Sequence, residues 1–210
     1  MTITNVIDAI VLALESIDVK YVRLSQKDYS DVNANDSLVK KFSEEKILER
    51  PFAYEFYHRF RSLMEKGTID FGDLIIQAEV DKTYQHCFKS NKEPTGRGRI
   101  PDFLVHLPNS VHNLAVIEFK LTSNLGNLEG DFEKLVEFKK NQDLQYDYGV
   151  EVIIGDAKSI ERAKSDIEKV EKAEGEELRV VYFNTDSGKA TSSSLKYVCE
   201  SKGDWESEFF

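Results

Sequence analysis

Asp102, Glu118 and Lys120, in the middle of the chain, are residue types that together can hydrolyse a phosphate ester. In Val116-Ile117-Glu118-Phe119-Lys120-Leu121, strand residues two apart emerge on the same side. Glu118 and Lys120 therefore share one face, and Ile117, Phe119 and Leu121 take the other. A half-exposed strand with a solvated Glu and Lys would show the same alternation. Asp102 follows Pro101 at the start of the apolar run Phe103-Leu104-Val105, where a carboxylate needs a reason, although Pro-Asp is also a common turn pair. A turn near Pro108 would lay the two strands side by side, bringing Asp102 and Glu118 within reach of one cation. Two carboxylates plus a backbone carbonyl suit Mg2+, with Mn2+ as an alternative, because such a cation takes oxygen ligands and keeps waters for a substrate phosphate.

Other chemistry-bearing residues admit two readings. Glu55, at the edge of a helical apolar stripe, can reach a site at the rim of a sheet or pair with Arg59 one turn later. Glu79 is an acid in an apolar strand, either near the metal or on the polar face. His106 is in phase with Asp102 and either approaches it or is a satisfied structural histidine. Cys87 and Cys199 form no CxxC pair, and the four histidines fit no zinc spacing.

These residues have to be positioned by a series of alternating elements. Residues 5–17 carry Ile7, Ile10, Val11 and Leu14 at helical spacing, with Thr4 or Asn5 as cap. Residues 28–36 read as a loop and residues 37–49 as a second helix. A third helix starts near Pro51, with Phe52, Phe56, Phe60 and Leu63 as its buried stripe, and stops at Gly67. Strands are expected over residues 74–83, 100–107 and 114–121, with a flexible connection over 90–98. After Gly130 come a helix to about Asn141, a strand over 150–154, a helix over 159–173 and a short strand over 180–183. Consecutive strands favour antiparallel pairing and helical crossovers favour parallel pairing. The expected class is therefore α/β, a mixed central sheet with helices on both faces.

Length and composition, with 40% hydrophobic and 31% charged residues over 210 positions, fit one folded domain. The apolar stretch from Ala9 to Leu14 is too short to span a membrane, follows Asp8 and lacks a basic leader, so a cytoplasmic protein is expected. A net charge of −10 argues against gripping nucleic acid over the whole surface. Charge is uneven, however. Residues 81–99 hold five basic against two acidic side chains, including Lys92, Arg97 and Arg99, which could contact phosphates or simply be a charged surface loop. Asp131, Lys134, Lys139 and Lys140, on the helix after the Glu-Phe-Lys strand, could line a groove or form a solvated face.

Pro101-Asp102, fifteen intervening residues and then Glu118-Phe119-Lys120 resemble the signature of the PD-(D/E)xK nuclease superfamily, the restriction-endonuclease-like fold. The element order resembles its α-β-β-β-α-β core, which would cover about residues 51–154, with N-terminal helices over 1–50 and an α/β extension over 155–210. The resemblance implies Mg2+ bound by Asp102, Glu118 and the Phe119 carbonyl, with Lys120 beside the attacking water. Glu55 would match the glutamate that many members take from the preceding helix, and Lys134 would border the substrate groove. A Mg2+-dependent endonuclease is expected, acting on DNA rather than RNA, with a homodimer possible because two cuts in a duplex call for two centres. Two rivals from other classes are a catalytically inactive module of the same fold that binds nucleic acid or a protein, and an acidic regulatory protein mimicking nucleic acid.

Overall fold

The structure is a computed structural model and describes residues 2–24, 46–80, 100–108, 110, 112–141 and 144–198. The stripe Val6, Ile7, Ile10, Ala13 and Leu14 builds α1 (Val6–Glu15), started by Asn5, whose side-chain oxygen accepts the Ile7 and Asp8 amides at 2.9 and 3.2 Å. A 3-10 turn (Val19–Tyr21) leads into β1 (Arg23–Leu24), which pairs antiparallel with β2 (Lys46–Ile47). That pairing corrects the end of the helix expected over residues 37–49. The remainder of it, the 28–36 loop, the 90–98 connection and the two cysteines lie outside the described residues.

Helix α2 (Glu49–Glu65) begins two residues before Pro51, which still falls in the first turn, where an amide has no helical partner. Its Phe52, Phe56 and Phe60 are fully buried. Gly67, at φ +67, supplies the left-handed residue beyond its end. Next come β3 (Ile75–Ala78), β4 (Phe103–His106) and β5 (Asn113–Leu121), a 3-10 segment (Thr122–Asn127), then α3 (Leu128–Lys140), β6 (Tyr148–Gly155), α4 (Ala157–Val170), β7 (Glu176–Asn184) and β8 (Lys189–Tyr197).

Strands β3 to β8 form one six-stranded sheet in sequence order. The β3-β4, β4-β5 and β7-β8 pairs are antiparallel; β5-β6 and β6-β7, connected through α3 and α4, are parallel. The expected class, α/β with a mixed sheet, is what the chain adopts. One face of the sheet buries Phe103, Val105, Ile117, Phe119, Val152, Ile154 and Phe183 against α1 and α2. Phe56 is central there, its ring centroid 4.9 Å from that of Phe119 and 5.6 Å from that of Phe103. The other face buries Leu104, Val116, Ile153, Val180 and Leu195 against α3 and α4.

Several boundaries differ from expectation for physical reasons. Strand β3 stops at Ala78, because Glu79 turns to φ +49 and is exposed. Helix α3 runs through Gly130 instead of starting after it. Strand β8 has no counterpart among the expected strands: it is an edge strand rich in Ser and Thr, in which only Leu195 and Tyr197 are buried, so it has little apolar alternation. Gly149 sets how closely α3 packs on the sheet. A Cβ there would lie 2.8 Å from a Leu178 methyl and 3.4 Å from the Leu135 carbonyl oxygen, so its bare backbone lets α3 lie close over β6. No described helix is long and apolar enough to cross a membrane.

Candidate active site

The β4-β5 register sets Phe103 opposite Ile117 and Leu104 opposite Val116. Continued by one residue, it puts Asp102 opposite Glu118. The Asp102 carboxylate confirms the neighbourhood, accepting the Phe119 amide at 2.7 Å. Strand adjacency, on which a shared Asp102 and Glu118 site depends, is therefore present. Glu118 and Lys120 project from the face that α3 covers, on the same side as Val116.

Two further elements add charge. Glu151 of β6 lies level with Glu118 in the parallel register and is completely buried. Asp131 and Lys134, three residues apart on α3, face the sheet together. Lys120 Nζ lies 2.6 Å from Asp131 Oδ2, and Lys134 Nζ lies 2.9 Å from Glu118 Oε1 and 3.9 Å from Asp131 Oδ1. Glu49, in the first turn of α2, accepts the Leu121 amide at 3.3 Å, at the end of the Glu-Phe-Lys strand.

Burial dominates the electrostatics. Glu118 is 4% exposed; burial, then the neighbouring Asp102, push its carboxyl up to about 8 despite the opposing Lys134 ammonium. Burial also raises Asp102, against the lowering effect of the Phe119 amide and Lys134. Glu151 is held well above the carboxylate range by burial, then by Asp131 and Glu118. For Lys120, burial disfavours the ammonium, but the Asp131 contact and the charges of Asp131, Glu151 and Glu49 outweigh it and hold the amine above its usual value.

Neither Glu151 oxygen has a hydrogen-bond partner among the described residues; nor do Glu118 Oε1 and Asp131 Oδ2. Those last two are nonetheless ion-paired, Glu118 Oε1 with Lys134 at 2.9 Å and Asp131 Oδ2 with Lys120 at 2.6 Å. Desolvated and without a partner among those residues, Glu151 adds, beside the ion-paired Glu118 and Asp131, oxygens of the kind a hard cation takes. Among the described residues no group of three or more His, Cys, Asp or Glu side chains is placed to hold a metal ion.

The other expected residues divide clearly. Glu55 is not brought to the cluster: α2 packs on the opposite face of the sheet, and Glu55 pairs with Arg59 at 2.7 Å. Glu49 of the same helix takes the place nearest the site. Phe119 contributes its amide to Asp102 and its ring to the opposite core. Lys134 points inward onto Glu118, so its ammonium is not displayed on an outer groove. His106 is buried, with Nε2 2.7 Å from Gln77 Oε1, the satisfied structural position. Lys139 contacts the Glu177 carbonyl at 2.7 Å. Lys92, Arg97 and Arg99 lie outside the described residues.

Glu151 and Glu49 are the members that sequence reasoning missed. A signal existed for Glu151, an acid inside the run Val150-Glu151-Val152-Ile153-Ile154, since a parallel strand covered on both faces is ordinarily apolar throughout. A groove of about 420 Å3 between α4 and β8, lined by Lys164, Glu168, Tyr182 and Ser193, contains none of these carboxylates. Comparison with protein-family models, curated proteins and solved structures found no match.

Proposed function

We propose that the chain is a divalent-cation-dependent phosphodiester hydrolase acting on nucleic acid, with DNA the first candidate, built on a restriction-endonuclease-like core from α2 to β6. The observation that carries this reading is the placement of Asp102 directly opposite Glu118 on neighbouring strands, with Lys120 two residues on along the same face. Asp102 and Glu118 would hold Mg2+ or Mn2+ with the Phe119 carbonyl. Bound there, the cation would act as Lewis acid and lower the pKa of a coordinated water.

The chain's own groups do the rest. Asp102 is oriented by the Phe119 amide, so its carboxylate is fixed before substrate arrives. Asp131 anchors the Lys120 ammonium, keeping it charged. From there Lys120 donates to the attacking water and to a non-bridging phosphoryl oxygen, offsetting negative charge as it develops. As the water oxygen bonds to phosphorus its proton passes to solvent, the ester P–O bond breaks, and the leaving alkoxide takes a proton from solvent to depart as the alcohol.

The test is to incubate wild type and Lys120→Ala with duplex DNA, single-stranded DNA and RNA, with Mg2+, Mn2+ or EDTA. Cleavage by wild type with metal, abolished by EDTA and by the substitution, is the expected result. No cleavage in wild type under any metal, or equal cleavage by the variant, overturns the reading.

One observation favours a second reading, a non-catalytic module of the same fold: both lysines are already neutralised by Asp131 and Glu118. Absence of any divalent-cation binding would decide for it. The nucleic-acid-mimic reading gains nothing from α4, where Lys164 and Lys169 pair with Glu161 and Asp166 and interrupt the acidic surface.

A further inference from the structure

Lys134 has no part in the proposed chemistry, yet its ammonium sits against two carboxylates of the cluster. Its Nζ is shared between Glu118 of β5 and Asp131 of α3 at 2.9 and 3.9 Å, and its side chain is 20% exposed. Level with Glu118 lies Glu151, fully buried, with both oxygens lacking a partner among the described residues. Leaving a desolvated carboxyl without donors is costly, and a buried polar group in that state calls for an ion or water. Each ammonium brings a single charge and three donors, and the two present, Lys134 on Glu118 and Lys120 on Asp131, leave Glu151 unsatisfied, with Lys120 the charge that acts on it. A hard divalent cation brings twice the charge and roughly six coordination positions.

We infer that the Lys134 ammonium is a resident counter-ion standing at a divalent-cation position beside Glu118 and Glu151, and that it swings out when the cation binds. The inference rests on the metal-dependent reading above. Mutual exclusion follows from charge, because an ammonium and a divalent cation a few ångströms apart in a buried site repel strongly. Lysine suits the exchange, since its stem is flexible, its side chain is already partly exposed and its strongly hydrated head is stable once in water.

The experiment strips the full chain with EDTA, titrates Mn2+ alone while following free Mn2+ by electron paramagnetic resonance, and records melting temperatures with and without Mn2+. Lys134→Met, which keeps the stem and removes the charge, should bind Mn2+ at least about tenfold more tightly than wild type. It should melt lower without metal and recover with it. Adding Glu151→Gln to Lys134→Met should reverse the gain. A merely structural lysine would lower both melting temperatures and tighten nothing. Lys134→Gln serves if the methionine variant does not fold.

Affinity in these variants equal to or weaker than wild type overturns the inference. If wild type then still binds through Asp102, the metal-dependent reading stands. Binding by Lys134→Met with none by wild type overturns the exchange, because a counter-ion that yields to the cation must let wild type bind, and removes the catalytic reading with it. No binding by either overturns both.

Discussion

Replacing Glu118 with glutamine should have opposite consequences for stability at the two ends of the accessible pH range. In the metal-free protein the carboxyl is held at about 8, against an ordinary 4.5, by burial and by Asp102. Below the ordinary value it is neutral in both folded and unfolded chains. Above it, the unfolded chain ionises while the folded chain keeps its proton, so stability falls by about 1.4 kcal/mol per pH unit until the folded value is reached. Over that whole window the loss is bounded at about 5 kcal/mol. Between pH 5 and pH 8, with the opposing Lys134 charge already contained in that value, we expect a loss of about 3–4 kcal/mol, or roughly 6–16 °C in melting temperature for a chain of this size. A glutamine at this position would stay neutral throughout and lack this component. Urea unfolding in EDTA at pH 5, 6, 7 and 8 should therefore give similar stabilities at pH 5 and a more stable Glu118→Gln at pH 8. Glu151 is coupled to Glu118, so the difference between the two curves reports the two carboxyls together. Mg2+ added at pH 8 should stabilise wild type and not the variant. Parallel stability curves for the two proteins would refute the reasoning.

Other outcomes follow from single contacts. Lys120→Ala should lower the cleavage rate by about 100-fold or more with the fold retained, as measured by single-turnover kinetics beside circular dichroism. In Asp102→Asn the new side chain can still accept the Phe119 amide, so stability should change little while Mn2+ affinity falls about tenfold or more, read by calorimetry. Phe56→Ala empties the centre of the ring cluster formed with Phe60, Phe103 and Phe119, and should cost about 3–5 kcal/mol in denaturant unfolding. Glu55→Gln removes only a one-turn pair with Arg59, so it should cost about 0.5 kcal/mol or less and leave Mn2+ affinity as in wild type.

Local periodicity made much of the chain legible. Covalent geometry sends strand side chains to alternating faces, so Glu118 and Lys120 are a pair before any fold is known; the same kind of regularity gathers Phe52, Phe56 and Phe60 on one stripe of α2. The alternation of helices and strands from residue 49 to 184 likewise points to a mixed α/β sheet. Where periodicity is weak, the sequence says little. The serines of β8 carry no apolar rhythm, and the short β2 forms only because it has β1 to pair with. Which charges meet was decided by register and by crossover packing. Asp102 reaches Glu118 because β4 and β5 pair as neighbours; Glu151 arrives through the parallel register of β6; and Asp131 and Lys134 arrive because α3 lies close over Gly149. The sequence also left Glu118 open to a solvated reading, and only burial between sheet and helix excludes it. The composition of the cluster is thus a non-local property: its members come from separate elements spread over roughly a hundred residues, and no short window of sequence contains the contacts that charge, shield and orient them.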